Sequence, residues 1–343
     1  MTRLKEVAAR AGVSIATTSR VLSGKDYVSG ALRERVLAAV GDLNYSPNGI
    51  ARSMSQRRTL TIGLVVSDIT NPFFTLVARG VEDTGQKSGY SVVLANTDED
   101  LDRERSSLDV LRQKRVDGIL LTVSSTETTH VRRLIDAGMK IVLIDRSLPD
   151  LAIPSVQVDN VGGVHKAMAY LLALGHRRIG IITGNLSEST GAERLSGYEA
   201  ALAAAGLPFD HDLVVSGKFK ESGGYAAAHH LWAVPDRPTA LISCNNTMTT
   251  GLLLALRESG AHVPDDVSVV GFDDIPYYSL LDRPLTAIAQ PTYELGCHAC
   301  ELLLRLIEDN DDMLNVETKV RLPTTFIVRA SCRPYPGPAY TLG

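Results

Sequence analysis

From residue 60 onward, short apolar runs alternate with longer segments of helical periodicity, and this alternation constrains the fold of the chain most. The runs form two series: LTIGLVV (60–66), SVVLAN (91–96), GILLTV (118–123) and IVLID (141–145), then IGIIT (179–183), ALISC (240–244) and VSVVGF (267–272). Runs rich in valine, isoleucine and leucine that alternate with helices predict parallel strands covered by helices on both faces. Two such series predict an α/β body of two Rossmann-like lobes, with a ligand site beyond the carboxyl ends of the strands.

Length and composition limit the classes of protein that this chain can be. Its 343 residues, with 44% apolar and 22% charged side chains, suit a globular protein of two or three domains. No run approaches the roughly 18 apolar residues of a membrane span, and the charged N-terminus does not resemble a secretory signal. Four cysteines without framework spacing indicate a reducing compartment. We therefore expect a cytoplasmic protein, associated with the nucleoid, that has no membrane partner.

The charge is unevenly distributed along the chain. Residues 1–60 carry a net charge of +6, while the remaining residues carry −10, which together give the total of −4. A basic head on an acidic body indicates a polyanionic partner for the head alone.

The basic head has the layout of a helix-turn-helix. Leu4, Val7, Ala8 and Ala11 share one helical face, and Gly12 follows where a tight turn suits a residue without Cβ. Ser14 and Ser29 are candidate caps of a second helix (15–22) and of a third (31–43), whose apolar stripe includes Leu37. In this layout the second helix enters the major groove of DNA, where the forked side chain of Arg20 suits guanine and Thr17 lies beside it.

The residues that follow the strands of the body have the chemistry of a sugar site. Aromatic rings, carboxylates, amides and arginines occur there, whereas no G-x-G-x-x-G follows the first strand and no G-x-x-x-x-G-K-[ST] occurs. An aromatic ring packs against the C–H face of a sugar, and each sugar hydroxyl both donates and accepts a hydrogen bond. The sequence therefore predicts a sugar clamp rather than a nucleotide-cofactor site.

The head and the segment after it resemble a known family of DNA-binding proteins. LKEVAARAGVSIATTSRVLSG and LNYSPNGIARSM (43–54) are similar to the lac repressor (LacI/GalR) family of bacterial transcription regulators. The resemblance implies a hinge helix at residues 47–54, formed on operator DNA, whose Met54 wedges into a central C-G step of the minor groove. The DNA-contacting residues that it implies are Ser14, Ile15, Ala16, Thr17, Ser19, Arg20, Asn48 and Met54. Thr18 stands in place of the usual valine and is expected to face the interior.

The body resembles periplasmic ribose-type sugar-binding proteins. The matching motifs are NPFF, the Asp-Arg after strand 141–145, the arginine of AERLSG, the asparagine pair, GFDD and AIAQ. The residues implied to bind the effector are Asn71, Phe73, Phe74, Asp145, Arg146, Glu188, Arg194, Phe219, Asn245, Asn246, Asp273 and Gln290. Glu188 stands where a purine-binding relative has arginine, and Asn246 stands where the family often has aspartate. The effector is expected to be a neutral or weakly acidic sugar or sugar acid, with a nucleobase as the second candidate.

The resemblance also implies the organisation of the chain. We expect an α/β fold with an N-terminal all-α helix-turn-helix head (1–46), a hinge helix and linker (47–59) and a two-lobed, periplasmic-binding-protein-like body of Rossmann-like parallel sheets (60–343). Lobe 1 would comprise 60–159 and 291–323, and lobe 2 would comprise 160–289 and 324–332. The chain would cross between the lobes near 158–161, 289–291 and 323–324, and these crossings would form a hinge.

The expected function is ligand-controlled DNA binding. A homodimer would bind a palindromic double-stranded operator. A tetramer is not expected, because the C-terminus lacks heptads. No catalytic residue, cofactor or metal is predicted, and Cys297 and Cys300 are expected to be structural because no second metal-binding pair follows. The alternative is a sugar-binding or sugar-modifying protein whose basic head has a non-regulatory role.

Overall fold

The computed structural model describes residues 4–22, 28–45, 58–308 and 319–335. Contacts divide the chain into two units, Met1–Thr61 and Ile62–Gly343. In the described part of the chain, no helix is both long enough and apolar enough to span a bilayer.

The described part of the first unit contains three helices: α1 (Leu4–Ala11), α2 (Ile15–Leu22) and α3 (Gly30–Asp42). Val7, Val21 and Val36 pack together as the centre of its small core. Gly12 joins α1 to α2 with a φ of +63°, a conformation that suits glycine. The guanidinium of Arg35 donates to the Ala11 carbonyl at 2.6 Å and so satisfies an acceptor at the end of α1.

Two expectations for α3 are wrong. Leu37, assigned to the apolar stripe, is 53% exposed in this chain, because the buried positions Val36 and Ala39 define a narrower inward face. Ser29 occupies the N-cap position, but its side chain makes no capping hydrogen bond. Thr18 is buried as expected, and its hydroxyl donates to the Ser14 carbonyl one turn earlier.

The second unit contains two six-stranded sheets, and every apolar run noted in the sequence contains a strand. In chain order its elements are β1 (Thr61–Val66), α4 (Pro72–Lys87), β2 (Ser91–Asn96), α5 (Leu101–Gln113), β3 (Gly118–Leu121), α6 (Thr129–Asp136), β4 (Lys140–Ile144), β5 (Ser155–Val158), α7 (Asn160–Ala173), β6 (Ile179–Thr183), α8 (Ser189–Ala204), β7 (Val214–Ser216), α9 (Glu221–Ala233), β8 (Ala240–Ser243), α10 (Asn246–Glu258), β9 (Ser268–Phe272), β10 (Thr286–Ala289), α11 (Thr292–Glu308), β11 (Lys319–Leu322) and β12 (Thr325–Ile327). The expected α/β architecture with parallel sheets is confirmed.

Each sheet forms the centre of one lobe. The strand order is β11-β5-β4-β3-β1-β2 in lobe 1 and β12-β10-β9-β8-β6-β7 in lobe 2. β10 pairs with β9 in parallel, but the short edge strand β12 pairs with β10 in the antiparallel direction. The chain passes from one lobe to the other after β5, after β10 and between β11 and β12. Three crossings place the carboxyl ends of both sets of strands around one cleft.

The segment that contains the cysteine pair packs inside lobe 1. A Cβ at Gly296 of α11 would lie 2.2 Å from the Val77 carbonyl oxygen of α4, so only glycine permits this close helix packing. Cys300 is fully buried, and the Cys297 thiol faces the Gly80 carbonyl at 3.6 Å. Within the described residues, no group of three or more histidine, cysteine or acidic side chains is placed to hold a metal ion.

Candidate functional site: an interlobe cleft and an exposed recognition helix

A polar cleft lies between the two lobes at the carboxyl ends of their strands. It is lined by Asp68, Asn71, Phe73, Phe74, Glu99, Asp145, Arg146, Thr190, Arg194, Phe219, Lys220, Asn245, Asp273 and Gln290. Its free volume is about 30 Å³, which is room for about two water molecules. The lobes are therefore closed, and a larger ligand can enter only after they part.

Ten of the twelve residues expected to bind the effector line this cleft. The other two, Glu188 and Asn246, are buried next to lining residues: Glu188 lies against Arg146, and Asn246 bonds to Asn71. The sequence reasoning omitted four residues that do line it, which are Asp68, Glu99, Thr190 and Lys220. Asp68 and Glu99 follow the ends of β1 and β2. Both could have been predicted by considering the residues after the carboxyl end of every strand, where ligands of such sheets bind.

Asn71 positions the aromatic residues of the cleft. It caps α4, with its Oδ1 accepting from the Phe73 amide at 2.9 Å, and Pro72 follows at the first helical position. The cap places Phe73 and Phe74 side by side, with ring centroids 4.9 Å apart and planes at 84°. Both rings are buried at the wall of the cleft, so they offer an apolar surface there.

Arg146, which follows β4, is held by an acid that follows β2, three positions away in the same sheet. Its two terminal nitrogens each donate at 2.7 Å to the two carboxylate oxygens of Glu99, and Nη1 also donates to the Val123 carbonyl at 2.8 Å. Glu188 approaches Nη2 at 2.9 Å as an ion pair, without the alignment of a hydrogen bond. Both terminal nitrogens of Arg146 are therefore bound to protein acceptors in this closed arrangement, and its Nε lacks a hydrogen bond among the described residues.

Arg194 of α8 is held in place as well, but by an amide and a carbonyl rather than by a carboxylate. Its Nε donates to Asn160 Oδ1 at 2.9 Å, and its Nη1 donates to the Cys244 carbonyl. The guanidinium lies 3.7 Å from the centroid of the Phe272 ring and 6.0 Å from that of Phe219, distances typical of cation–π contacts. This side chain joins α8 to the ends of β8 and β9.

The remaining acid and amides of lobe 2 form a connected group. Asp273 accepts from the Gln290 side-chain amide through Oδ1 and from the Asn246 backbone amide at 3.2 Å through Oδ2. Asn245 caps α10, because its Oδ1 accepts from the Met248 amide at 2.8 Å. Its Nδ2 donates to the Phe219 carbonyl at 3.3 Å and so connects the loop that carries Phe219 to α10.

Several buried polar atoms around the cleft have no hydrogen-bond partner among the described residues. Besides Glu188 Oε2, which is ion-paired with Arg146, they are Asp145 Oδ1, Gln290 Oε1, Asn246 Oδ1, Thr190 Oγ1 and Arg146 Nε. The carboxylate and amide oxygens of Asp145, Gln290 and Asn246 only accept, whereas Nε of Arg146 only donates. The hydroxyl of Thr190 can do both. Buried polar groups are normally paired, so this set suits a ligand that donates more hydrogen bonds than it accepts.

Burial shifts the titration of the acids in and beside the cleft. It raises the pKa of Asp145 to about 6, although Arg146 and Arg194 act in the opposite direction. It also raises the pKa of Glu188 to about 7 and raises that of Asp273. In each case the loss of water around the charged form outweighs the attraction of the nearby arginine.

The face of α2 in the first unit is suited to contact with DNA. Ser14, Ile15, Ala16, Ser19 and Arg20 are exposed and Thr17 is half-buried, whereas Thr18 and Val21 point inward. Ser14 Oγ accepts from the Thr17 amide at 3.0 Å and so caps the helix. Ile15 is 52% exposed, so its apolar side chain is accessible on this face of the helix. Asn48 and Met54 lie outside the described residues.

The fold and these two sites together define a transcription regulator with a helix-turn-helix head and a two-lobed ligand-binding body. The model of the bacterial regulatory proteins of the lacI family matches residues 3–48. The model of periplasmic binding proteins and the sugar binding domain of the LacI family matches residues 59–329. This chain belongs to the LacI family, as its resemblance to that family predicted.

Individual relatives agree with this assignment. The ribose operon repressor of Haemophilus influenzae is 37% identical over 94% of this chain and 97% of its own length. The transcriptional repressor PurR of Photobacterium profundum is 36% identical over 91% and 93%. The lac repressor dimer bound to operator and an anti-inducer has a TM-score of 0.86 at 27% identity, over 97% of this chain and 99% of that one. These findings favour the regulator over the alternative of a sugar-modifying protein.

Proposed function

We propose that this protein is a dimeric repressor that binds a palindromic operator and is switched by a small sugar. Residues 1–46 read the DNA, residues 47–59 form the hinge helix and linker, and residues 60–343 bind the effector and dimerise. It acts in the cytoplasm on nucleoid DNA and catalyses no reaction. The support for DNA reading is the exposed face of α2, with Arg20 and Ile15 next to small and hydroxylated residues.

The hinge contact is proposed from the sequence match alone. Met54 replaces the leucine that wedges into the central C-G step, and methionine is apolar and flexible enough for that role. Met54→Ala should reduce DNA bending and specific affinity, while Met54→Leu should retain both. Fluorescence energy transfer between the ends of a labelled operator measures the bend, and an unchanged bend in Met54→Ala would contradict the proposal.

The proposed effector is a neutral monosaccharide, and the unpaired buried acceptors around the cleft are the observation that carries this choice. Asp145, Gln290 and Asn246 each retain an oxygen that needs a donor, which sugar hydroxyls supply. A carboxylate would need an arginine fork, but the two terminal nitrogens of Arg146 already bind Glu99. This pairing favours a neutral sugar over a sugar acid. The buried rings of Phe73 and Phe74 supply the apolar wall for its C–H face.

Switching follows from closure of the cleft. About 30 Å³ of free volume does not hold a sugar, so binding must change the contacts between the lobes. A change in lobe geometry within a dimer alters the spacing of its two heads, and hence its operator affinity. The same coupling must act in reverse, so operator DNA changes the affinity for the sugar by an equal factor.

Calorimetry with ribose, further neutral pentoses and hexoses, sugar acids and purine bases tests the effector class. We expect a neutral sugar to bind, Asp273→Ala and Arg194→Ala to abolish the response of operator binding to it, and operator binding itself to persist. Asp265→Ala is the control, because Asp265 is an exposed acid outside the cleft. Binding of a purine but of no sugar would refute this effector class, as would a normal response in Asp273→Ala.

A further inference from the structure

A buried amide in lobe 2 joins Arg194 of the cleft to the acid that precedes it in the chain. Asn160 is fully buried and is the first residue of α7, directly after the chain crosses from β5 into lobe 2. Its Oδ1 accepts from Nε of Arg194 at 2.9 Å, and its Nδ2 donates to Oε2 of Glu193 at 2.8 Å. A guanidinium only donates and a carboxylate only accepts, so an amide, which does both, can bridge the two. One side chain therefore contacts both of these neighbours on α8.

Glu193 also forms an ion pair between the lobes. Its Oε1 accepts from Nη2 of Arg321 at 2.8 Å. Arg321 lies on β11 of lobe 1, one residue before that strand ends and the chain crosses to β12 of lobe 2. The route from Arg321 through Glu193 and Asn160 to Arg194 consists of three successive hydrogen bonds. It leads from the crossings between the lobes to the cleft.

The crossings at the start of this route are bonded to each other. The Asp159 amide donates to the Leu322 carbonyl at 2.8 Å, and β5 and β11 pair in parallel just before the chain leaves lobe 1 at each of them. In lobe 2, Lys166 Nζ donates to the Thr324 carbonyl at 2.8 Å. Hinges absorb the rotation of lobes in a few residues at the ends of elements. Rotation about these crossings therefore changes the separation of the two charged groups of the ion pair, which belong to different lobes.

The two arginines of the cleft are held differently. Arg146 is bound by the carboxylate of Glu99, whereas Arg194 is bound by an amide and a carbonyl. The bonds of Arg194 use Nε and Nη1 and leave Nη2 for a ligand in the cleft that this residue lines. The donors of a guanidinium lie in one rigid plane, so the bond from Nε to Asn160 fixes the direction in which Nη2 donates.

We propose that Asn160 is a positioning residue for Arg194, and that the ion pair of Glu193 with Arg321 makes this positioning depend on the angle between the lobes. With the pair formed, Glu193 holds the amide of Asn160 with its oxygen facing Arg194. Parting of the lobes weakens the pair, removes that anchor and loosens Arg194. A ligand that binds Arg194 alters the pair through the same bonds, because coupling acts in both directions. This last step rests on the proposed sugar response.

The positioning role is tested without any ligand. The full-length protein is labelled with ¹⁵N-arginine, the Nε signal of Arg194 is identified by its loss in Arg194→Lys, and hydrogen exchange at Nε is measured by NMR. We expect exchange at least about tenfold faster in Asn160→Ala, because the Nε–H group then loses its acceptor. Asn96→Ala is the control, since Asn96 accepts from the Ile69 amide in lobe 1 and should leave this signal unchanged. Exchange as slow in Asn160→Ala as in the wild type would overturn the positioning role.

Arg321→Ala tests the link to the crossings. It should accelerate exchange at Nε of Arg194 at least about twofold, because an exposed ion pair contributes little but measurably. Lys319→Ala, an exposed change on the same strand, should not accelerate it. Asn160→Asp keeps an acceptor for Nε but offers Glu193 no donor, so exchange should stay slow there and no longer respond to Arg321→Ala. An equal response to the changes at Arg321 and Lys319, or a response that persists with Asn160→Asp, would overturn the link.

Ribose supplies the final arm of the experiment. At saturation it should shift the side-chain signals of Arg321 in the wild type but not in Asn160→Ala, and its affinity should fall at least about fivefold in that variant. An equal shift in both proteins would contradict the coupling. If no sugar binds while the exchange results hold, Asn160 is still the positioning residue and only the proposed effector class is refuted.

Discussion

Asn246 Nδ2 donates to Asn71 Oδ1 at 2.8 Å and joins two residues that are 175 positions apart, one in each lobe. Both side chains also organise their own lobes, since Asn71 caps α4 and Asn246 begins α10. Other bonds across the cleft join Lys220 Nζ to Asp98 Oδ1 at 2.8 Å and the Ser147 amide to Ser189 Oγ at 3.0 Å. The closed arrangement is thus held by a small number of polar contacts that a ligand can replace.

Asn246→Ala should shift the ligand-free protein toward an open cleft. A hydrogen bond between neutral groups contributes about 0.5–1.5 kcal/mol, and the helix cap of Asn71 stays intact because Phe73 still donates to it. Small-angle scattering of the ligand-free protein should show a larger radius of gyration. Arg257→Ala, an exposed change on the same helix, should leave the radius unchanged. Identical scattering curves for Asn246→Ala and the wild type would show that this bond does not control closure.

Arg20→Ala should relax sequence preference at one base pair in each half-site. An arginine that binds guanine O6 and N7 with both arms contributes about 1–3 kcal/mol to discrimination. Arg20→Lys should also lose preference, because lysine lacks the planar fork. Binding measured against a set of operators that differ at single positions gives the result. An equal loss of affinity for every sequence would mean that Arg20 contacts phosphate instead.

Glu188→Gln should flatten the pH dependence of stability. Burial raises the pKa of Glu188 from 4.5 to about 7, so the folded state binds an extra proton between these values. The contribution of Glu188 to the free energy of unfolding is therefore fully present below pH 4.5 and is lost as the pH rises toward 7, by on the order of a few kcal/mol. Urea unfolding from pH 4.5 to 8 measures this decline.

The control for this experiment is Glu199→Gln, which changes an exposed carboxylate of α8. That variant should keep the pH profile of the wild type, since its side chain is in water in both states. Parallel profiles for the wild type and Glu188→Gln would contradict the raised pKa of Glu188.

Gly184→Ala should disturb the cleft without affecting the head. A Cβ at this position would lie 1.9 Å from Cζ of Phe219, so the ring must move. Phe219 is one wall of the cleft, and we expect the response to the effector to fall while operator binding persists. Ala203→Ser, which adds one atom at an exposed position of α8 outside the cleft, is the control in lobe 2. A normal effector response in Gly184→Ala would show that Phe219 does not shape the site.

Local sequence pattern determined the architecture of this protein. The alternation of apolar runs with helical segments predicted the α/β body, and the spacing of Val7, Gly12 and Ser14 predicted the first two helices of the head. Both signals depend on which face a residue occupies within one element, and periodicity reports that face directly. Ligands of open α/β sheets bind beyond the carboxyl ends of the strands, which meet at one edge of the sheet. This principle identified Asp145, Arg194 and Asp273 as candidate site residues from the sequence.

Only the tertiary structure decided which of these groups bind one another. The pairing of Arg146 with Glu99, its bond to the Val123 carbonyl, and the bond between Asn246 and Asn71 depend on distances of a few ångströms between segments far apart in the chain. The antiparallel direction of β12 also required the structure, because three residues carry too little pattern to show how a strand pairs. A sequence records the chemical types of side chains, whereas the pairing of charges and amides is set by the packing of whole lobes.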